Sequence, residues 1–269
     1  MLIDSVIYCG EIELLKTRFE YLNDIVDKFI VIESKTYHNG LPRDVRDFHK
    51  DIEDCPYKDK IIYRLIDCND CFKIPEYASY SQGKAFAREN YQRNYISTIL
   101  KELGPFKPSD KICVCDVDEI PDKNFLREIC KLPGVGTKQY AFIGMNMYYY
   151  NHTVMFANEF YQPVIALVNY VMNHKNISRQ FRKTLFNNVF YHNAGWHLSY
   201  FIPTEEIVNK LSHFLHHEWY TDDKYKNVDW INEQIRNKRS IFSNRGDDIV
   251  TIDTNTIPEE FLKFENFGQ

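Results

Sequence analysis

Apolar residues in the first half of the chain gather into short runs, separated by stretches with a helical period. Leu2 to Cys9, Lys28 to Glu33 and Lys60 to Ile66 read as strands, and Lys111 to Cys115, short, apolar and β-branched, reads as a buried one. Between the first two, Ile12, Leu15, Phe19 and Leu22 recur at helical spacing over residues 11–23. Residues 79–103 repeat that period through Ala85, Ala87, Ile96, Ile99 and Leu100, and Gly104-Pro105 ends it. The order β-α-β-β-α-β predicts a mainly parallel sheet with helices on both faces.

The second half changes character. Aromatic and β-branched runs at 140–150, 156–161 and 164–170 predict further strands, some in antiparallel pairs. A helix is expected from Pro203 to about His217 and another over 225–238, with a polar tail after them. No repeat, low-complexity stretch or linker interrupts the chain. One domain over residues 1–269 is the economical reading, with a nucleotide-binding half at 1–121 and an acceptor-side half at 122–269.

Composition narrows the function. Of 269 residues 44% are hydrophobic, so a sizeable core is available, and Gly and Pro stand at only 10 each. The net charge of −5 argues against a duplex nucleic-acid partner. Seven cysteines, an odd number, suit a reducing compartment. Cys68 and Cys71 form a C-x-x-C with no second pair at zinc-site spacing. The N-terminus shows no charged-then-apolar leader, and Leu2 to Cys9 is too short to cross a bilayer. A cytoplasmic protein of bacterial or viral type, without a transmembrane segment, is therefore expected.

The chemistry concentrates where the fourth strand ends. Lys111 to Cys115 runs into Asp116, Asp118 and Glu119, and Pro121 stops it. Side chains at i and i+2 of an extended chain share a face, so Asp116 and Asp118 are expected to point together past a carboxyl strand end, where open α/β sheets bind ligands. Two close carboxylates repel, and a divalent cation such as Mn²⁺ or Mg²⁺, with a diphosphate supplying further oxygens, relieves the repulsion.

Several stretches, in order, carry a family resemblance. Glu11 to Arg18 is similar to N-E-x-x-L-L-x-x-R, Val26 to Ser34 to V-D-x-F-[IV]-[IV]-x-E-[SA], and Thr36 to Pro42 to T-x-x-G-x-P. Gln92-Arg93-Asn94 matches Q-R-N, and Asp116 to Pro121 matches D-x-D-E-I-P. Gly195 to Tyr200 is similar to G-W-H-x-S-[WY], Glu205 to Leu211 to E-x-I-x-x-K-L, and His216 with Glu218 to H-x-E. The set resembles glycosyltransferase family 17. The chain departs from the pattern at Arg43-Asp44, where the family has a basic, proline-containing run, and the membrane anchor of the family's animal members is not expected here.

The resemblance implies a GT-A type nucleotide-sugar-binding fold and transfer of a sugar, GlcNAc by family habit, from a UDP-sugar to a glycan hydroxyl with inversion. Asp118 would hold the metal at the donor diphosphate, and Asp116 would reach the ribose or the metal. Inversion needs a base for the acceptor hydroxyl; Glu218 and Glu205 are the candidates, with Glu119 behind them as a base or a brace for the loop. His197 would ligate the metal or bind the diphosphate, unless it is a core histidine. His216 is its rival and an acceptor-side candidate, while His213 and His217 are expected on other helix faces. Trp196 would stack on a sugar or else fill the core. Glu33 is read as a uracil or ribose contact or a loop partner. Arg93 is read as a diphosphate ligand or an ion-pair partner of Glu33 or Asp116. The rival functions are a metal-dependent hydrolase or phosphodiesterase, and a non-catalytic sugar-nucleotide-binding protein.

Overall fold

The computed structural model describes residues 1–79, 83–136, 138–174, 189–213, 222–242 and 249–268. Twelve strands are assigned among them: β1 Leu2–Tyr8, β2 Lys28–Ser34, β3 Ile61–Ile66, β4 Lys111–Asp116, β5 Glu119–Pro121, β6 Tyr140–Ile143, β7 Asn146–Tyr149, β8 Asn151–Phe156, β9 Val164–Leu167, β10 Phe190–Tyr191, β11 Gly195–Ser199 and β12 Ile249–Thr251. The principal helices are α1 Ile12–Leu22, α2 Lys84–Leu103, α3 Lys123–Lys131, α4 Val168–Asn173, α5 Thr204–His213 and α6 Val228–Arg236.

The described strands form a seven-stranded sheet in the order β10-β6-β9-β4-β1-β2-β3 and a five-stranded sheet in the order β12-β8-β7-β11-β5. In the larger sheet β3, β2, β1 and β4 run parallel, and β9 is antiparallel to both β4 and β6. This is a mixed α/β fold with a mainly parallel central sheet flanked by helices, in keeping with the GT-A type layout.

Alternation within the strands explains the layers. Leu2, Val6 and Tyr8 of β1, Phe29 and Val31 of β2 and Cys113 and Cys115 of β4 pack on one face with Leu15, Phe19 and Leu22 of α1. Ile3, Ile30, Ile32, Ile112 and Val114 pack on the other with Ile96, Ile99 and Leu100 of α2. Both faces are buried, so β2 and β4 read as nearly continuous apolar runs, and Asp4 and Ser5 are the polar exceptions in β1.

Three expected elements differ. The run 164–170 splits: β9 ends at Leu167, the Val168 amide turns to the Asp110 carbonyl at 2.8 Å, and α4 begins. Val168 and Val171, one helical turn apart, then bury against the α2 side of the core. The run 156–161 is not a strand beyond Phe156; Phe160 makes only an isolated bridge to Met145. The long helix starts at Lys84 rather than 79, after a short helix at Pro75–Ala78. Cys68 and Cys71 are buried free thiols, which burial pushes up to about 12 and about 11.

Candidate active site

β4 belongs to the larger sheet and β5 to the smaller, so the turn carrying Asp118 is the seam between them. A cavity of about 630 Å³ opens there, within the ~300–1,000 Å³ range of ligand pockets. Tyr8, Glu33, Asp116 and Asp118 line it at the carboxyl ends of β1, β2 and β4. Met147, Tyr149, His197 and Ser199 line it from β7 and β11, and Lys210 and His213 from α5.

The turn is fixed from beneath. Arg18 of α1, 0% exposed, grips Asp4 of β1 through two 2.7 Å contacts, Nε to Oδ2 and Nη2 to Oδ1. Its remaining Nη1 donates to the backbone carbonyls of Asp116, Val117 and Glu119 at 3.2, 3.3 and 2.5 Å. From the other side the buried Glu119 carboxylate accepts from the Asp116 amide at 2.6 Å. Glu119 therefore braces the loop, one of the two roles expected of it. Gly195 lets β11 lie against β5: a Cβ there would collide with the Ile120 carbonyl. That close pairing sets His197 opposite Glu119 and brings the Leu198 amide to the Asp118 carbonyl at 2.8 Å.

The two aspartates meet different partners. Asp116, on the α2 side of the sheet, accepts from Arg93 Nη1 at 2.7 Å, and Arg93 Nη2 also donates to Glu89 at 3.0 Å. Asp118 faces the cavity, with Lys210 Nζ at 3.3 Å and His197 Nε2 at 3.8 Å, the latter longer than a hydrogen bond. Burial alone would raise the Asp118 carboxyl, but the Lys210 ammonium and His197 outweigh it and hold it well below the usual carboxylate range. Burial would likewise lower His197 and Lys210, and the Asp118 charge reverses both.

The other expected site residues distribute as follows. Arg93 is buried beneath Asp116 as its ion-pair partner and does not line the cavity. Glu33 does line it, but its oxygens are taken by Arg43 Nη2 at 2.8 Å and the Tyr63 hydroxyl at 2.5 Å. Burial raises the Glu33 carboxyl against the opposing pull of Tyr63 and Arg43. Trp196 sits on the opposite face of β11 from His197, edge-on to Tyr21, with Nε1 donating to Thr256. It is outside the cavity lining. Glu205 is exposed and also outside it. Glu218, His216 and His217 lie outside the described residues.

Other residues that line the site had no role assigned from the sequence. Glu206, Asn209, Lys210 and His213 form one stripe of α5 at i, i+3, i+4 and i+7. His213, expected on another face, stacks on Tyr37 with ring centroids 3.9 Å apart. Nearby, Asn39 Nδ2 donates to the Ser212 carbonyl, which ties the 35–42 loop to α5. Arg43 reaches the cavity from that loop, bonded to Glu33 and to the Ser34 carbonyl. The helical period could have flagged the Glu206 stripe; Arg43 stood out only as a departure from the family pattern.

A divalent cation fits part of this arrangement. Asp118 and His197 present a carboxylate and an imidazole to one another across a gap, and His197 Nδ1 is buried without a hydrogen-bond partner among the described residues. Among the described residues no three His, Cys, Asp or Glu side chains converge on one point. Phosphate oxygens and water would complete such a shell, as Mg²⁺ and Mn²⁺ sites commonly require.

Comparisons with known proteins bear on this site. No curated protein matches the chain. Among solved structures, 4-diphosphocytidyl-2C-methyl-D-erythritol synthase is similar at 10% identity, a TM-score of 0.42, and 78% and 97% coverage of this chain and that one. The galactosyltransferase LgtC, in complex with donor and acceptor sugar analogs, gives 9%, 0.35, 70% and 66%. An active-site mutant of LgtC gives 10%, 0.34, 70% and 66%. Likenesses this weak carry no argument. The family comparison is different in kind: the pattern of glycosyltransferase family 17 runs through residues 1–260. The chain belongs to glycosyltransferase family 17.

Proposed function

We propose that the protein transfers a sugar from a UDP-sugar to a glycan hydroxyl, with residues 1–121 on the donor side and 122–269 on the acceptor side. The observation that carries this reading is Asp118: a carboxylate just past a parallel-strand end, with Lys210 at 3.3 Å, facing a cavity of about 630 Å³ between two sheets. Family membership supports a glycosyltransferase. GlcNAc as the sugar, inversion and the cytoplasmic setting belong to the same proposal and rest on the sequence.

Asp118 and His197 would hold Mn²⁺ or Mg²⁺; Asp116 is turned to Arg93 and positions the strand end. The metal, when bound, supplies Lewis-acid stabilisation of charge on the departing diphosphate. The Glu33–Arg43 pair lines the donor side, and Arg43 keeps its guanidinium in the cavity through Glu33. A carboxylate must take the acceptor proton. Glu218 and Glu205 are the sequence candidates, and Glu206 is the carboxylate that α5 turns toward the cavity.

Turnover of UDP-GlcNAc, UDP-glucose and UDP-galactose with a panel of glycan acceptors tests the proposal. Sugar transfer, and thermal stabilisation by UDP plus Mn²⁺, are expected. Phosphodiester cleavage without an acceptor product would replace it with the hydrolase reading, and no turnover despite UDP binding with the non-catalytic one.

A further inference from the structure

We propose that Lys210, paired here with Asp118, is a diphosphate-binding residue that passes to the donor's phosphates when the donor enters. The inference rests on the nucleotide-sugar reading above and deepens it. Carboxylates outnumber basic side chains in the cavity lining, so an anionic diphosphate needs a cation to meet it. Arg43 is committed at 2.8 Å to Glu33, and Arg46 at 2.7 Å to Asp51. Lys210 is held more loosely. Among the described residues its ammonium makes one hydrogen bond, a 3.3 Å contact to Asp118, and lies 5.7 Å from the Tyr200 ring centre.

An ammonium carries three donors and swings on a flexible stem. Among the described residues two of the three are unspent on hydrogen bonds, and α5 fixes the stem on the cavity wall. Asp118 is therefore a resting counter-ion for Lys210. A phosphate oxygen arriving beside Asp118 offers the same ammonium a second, more strongly charged acceptor. Lys210 on the diphosphate would also leave the Asp118 carboxylate open on the cavity side.

The test is calorimetric titration of UDP and UMP into the whole protein in EDTA, so that no divalent ion contributes. UMP lacks the β-phosphate and serves as the internal control. Lys210→Met is expected to weaken UDP about tenfold, the size of one lost charge-assisted contact, with a smaller loss for UMP. Lys210→Arg should restore most of the UDP preference. Asp118→Asn should tighten UDP several-fold, because it frees the ammonium and removes a nearby negative charge. Lys210→Met with an unchanged UDP-to-UMP ratio would overturn the proposal, and so would unchanged or weaker UDP binding in Asp118→Asn. Wild-type protein that binds no UDP would overturn the donor reading along with it.

Discussion

Two cation–carboxylate pairs flank the same turn, and they are built to opposite specifications. Below it, Arg18 and Asp4 are 0% and 2% exposed, joined through two short contacts, and the spare guanidinium nitrogen holds three turn carbonyls. Above it, Lys210 and Asp118 meet at a single 3.3 Å contact in an open cavity, at 32% and 17% side-chain exposure. A planar guanidinium in a dry interior fixes geometry; an ammonium at a cavity wall supplies charge while staying free to move. The lower pair is architecture and the upper pair is exchangeable.

The largest expected effect breaks the lower pair. Arg18→Leu leaves Asp4 buried and unpaired, and the loss should be about 3–5 kcal/mol in urea unfolding. Arg18→Leu with Asp4→Leu should recover part of it, because no lone charge remains. Equal losses in the single and double variants would show that the carbonyl contacts, not the ion pair, dominate.

Next come changes that leave the lower pair intact. Asp118→Asn should fold with near-normal stability yet lower sugar transfer by about 10²–10³-fold, the scale of losing one charge-stabilising group. Retained transfer would remove Asp118 from the chemistry. On α5, Glu206→Gln should lower transfer about 10²-fold while Glu205→Gln leaves it near normal, because only Glu206 lines the cavity. The reverse result would show that the acceptor approaches from the other side of the helix.

The smallest effect concerns the upper pair's own stability. Being partly exposed, it should contribute no more than about 1 kcal/mol, read by thermal unfolding of Lys210→Met. The Asp118 carboxyl sits lower in the folded protein than in an unfolded chain. Its contribution is therefore present above the ordinary aspartate range and lost as pH falls toward the folded value. Lys210→Met should flatten that acid limb.

The same contrast explains what was legible in the sequence. The central parallel strands were readable because burial on both faces leaves nearly uninterrupted apolar runs, as in β2 and β4. The 164–170 stretch was not, since a short apolar run looks alike as strand or helix, and only the Val168 amide's turn to Asp110 decides it. The acidic turn announced itself at 116–119. Its partners did not, because Arg18 reaches Glu119 across 101 positions and Lys210 reaches Asp118 across 92. On α5 the difficulty was phase: one residue is 100° of helix, enough to put Glu206 in the cavity and Glu205 in solvent. Of the two readings of Trp196 the core-filling one fits, since alternation along β11 sends its ring toward Tyr21 when His197 faces inward.

The passage of the chain from one sheet to the other through Asp118 has a thermodynamic corollary. Leu198 bonds the Asp118 backbone while His197 faces its side chain, so shifting β11 moves groups on both flanks of the turn. If the proposed donor and acceptor occupy the two flanks, reciprocity requires that an acceptor which sharpens UDP affinity is itself held tighter once UDP is present.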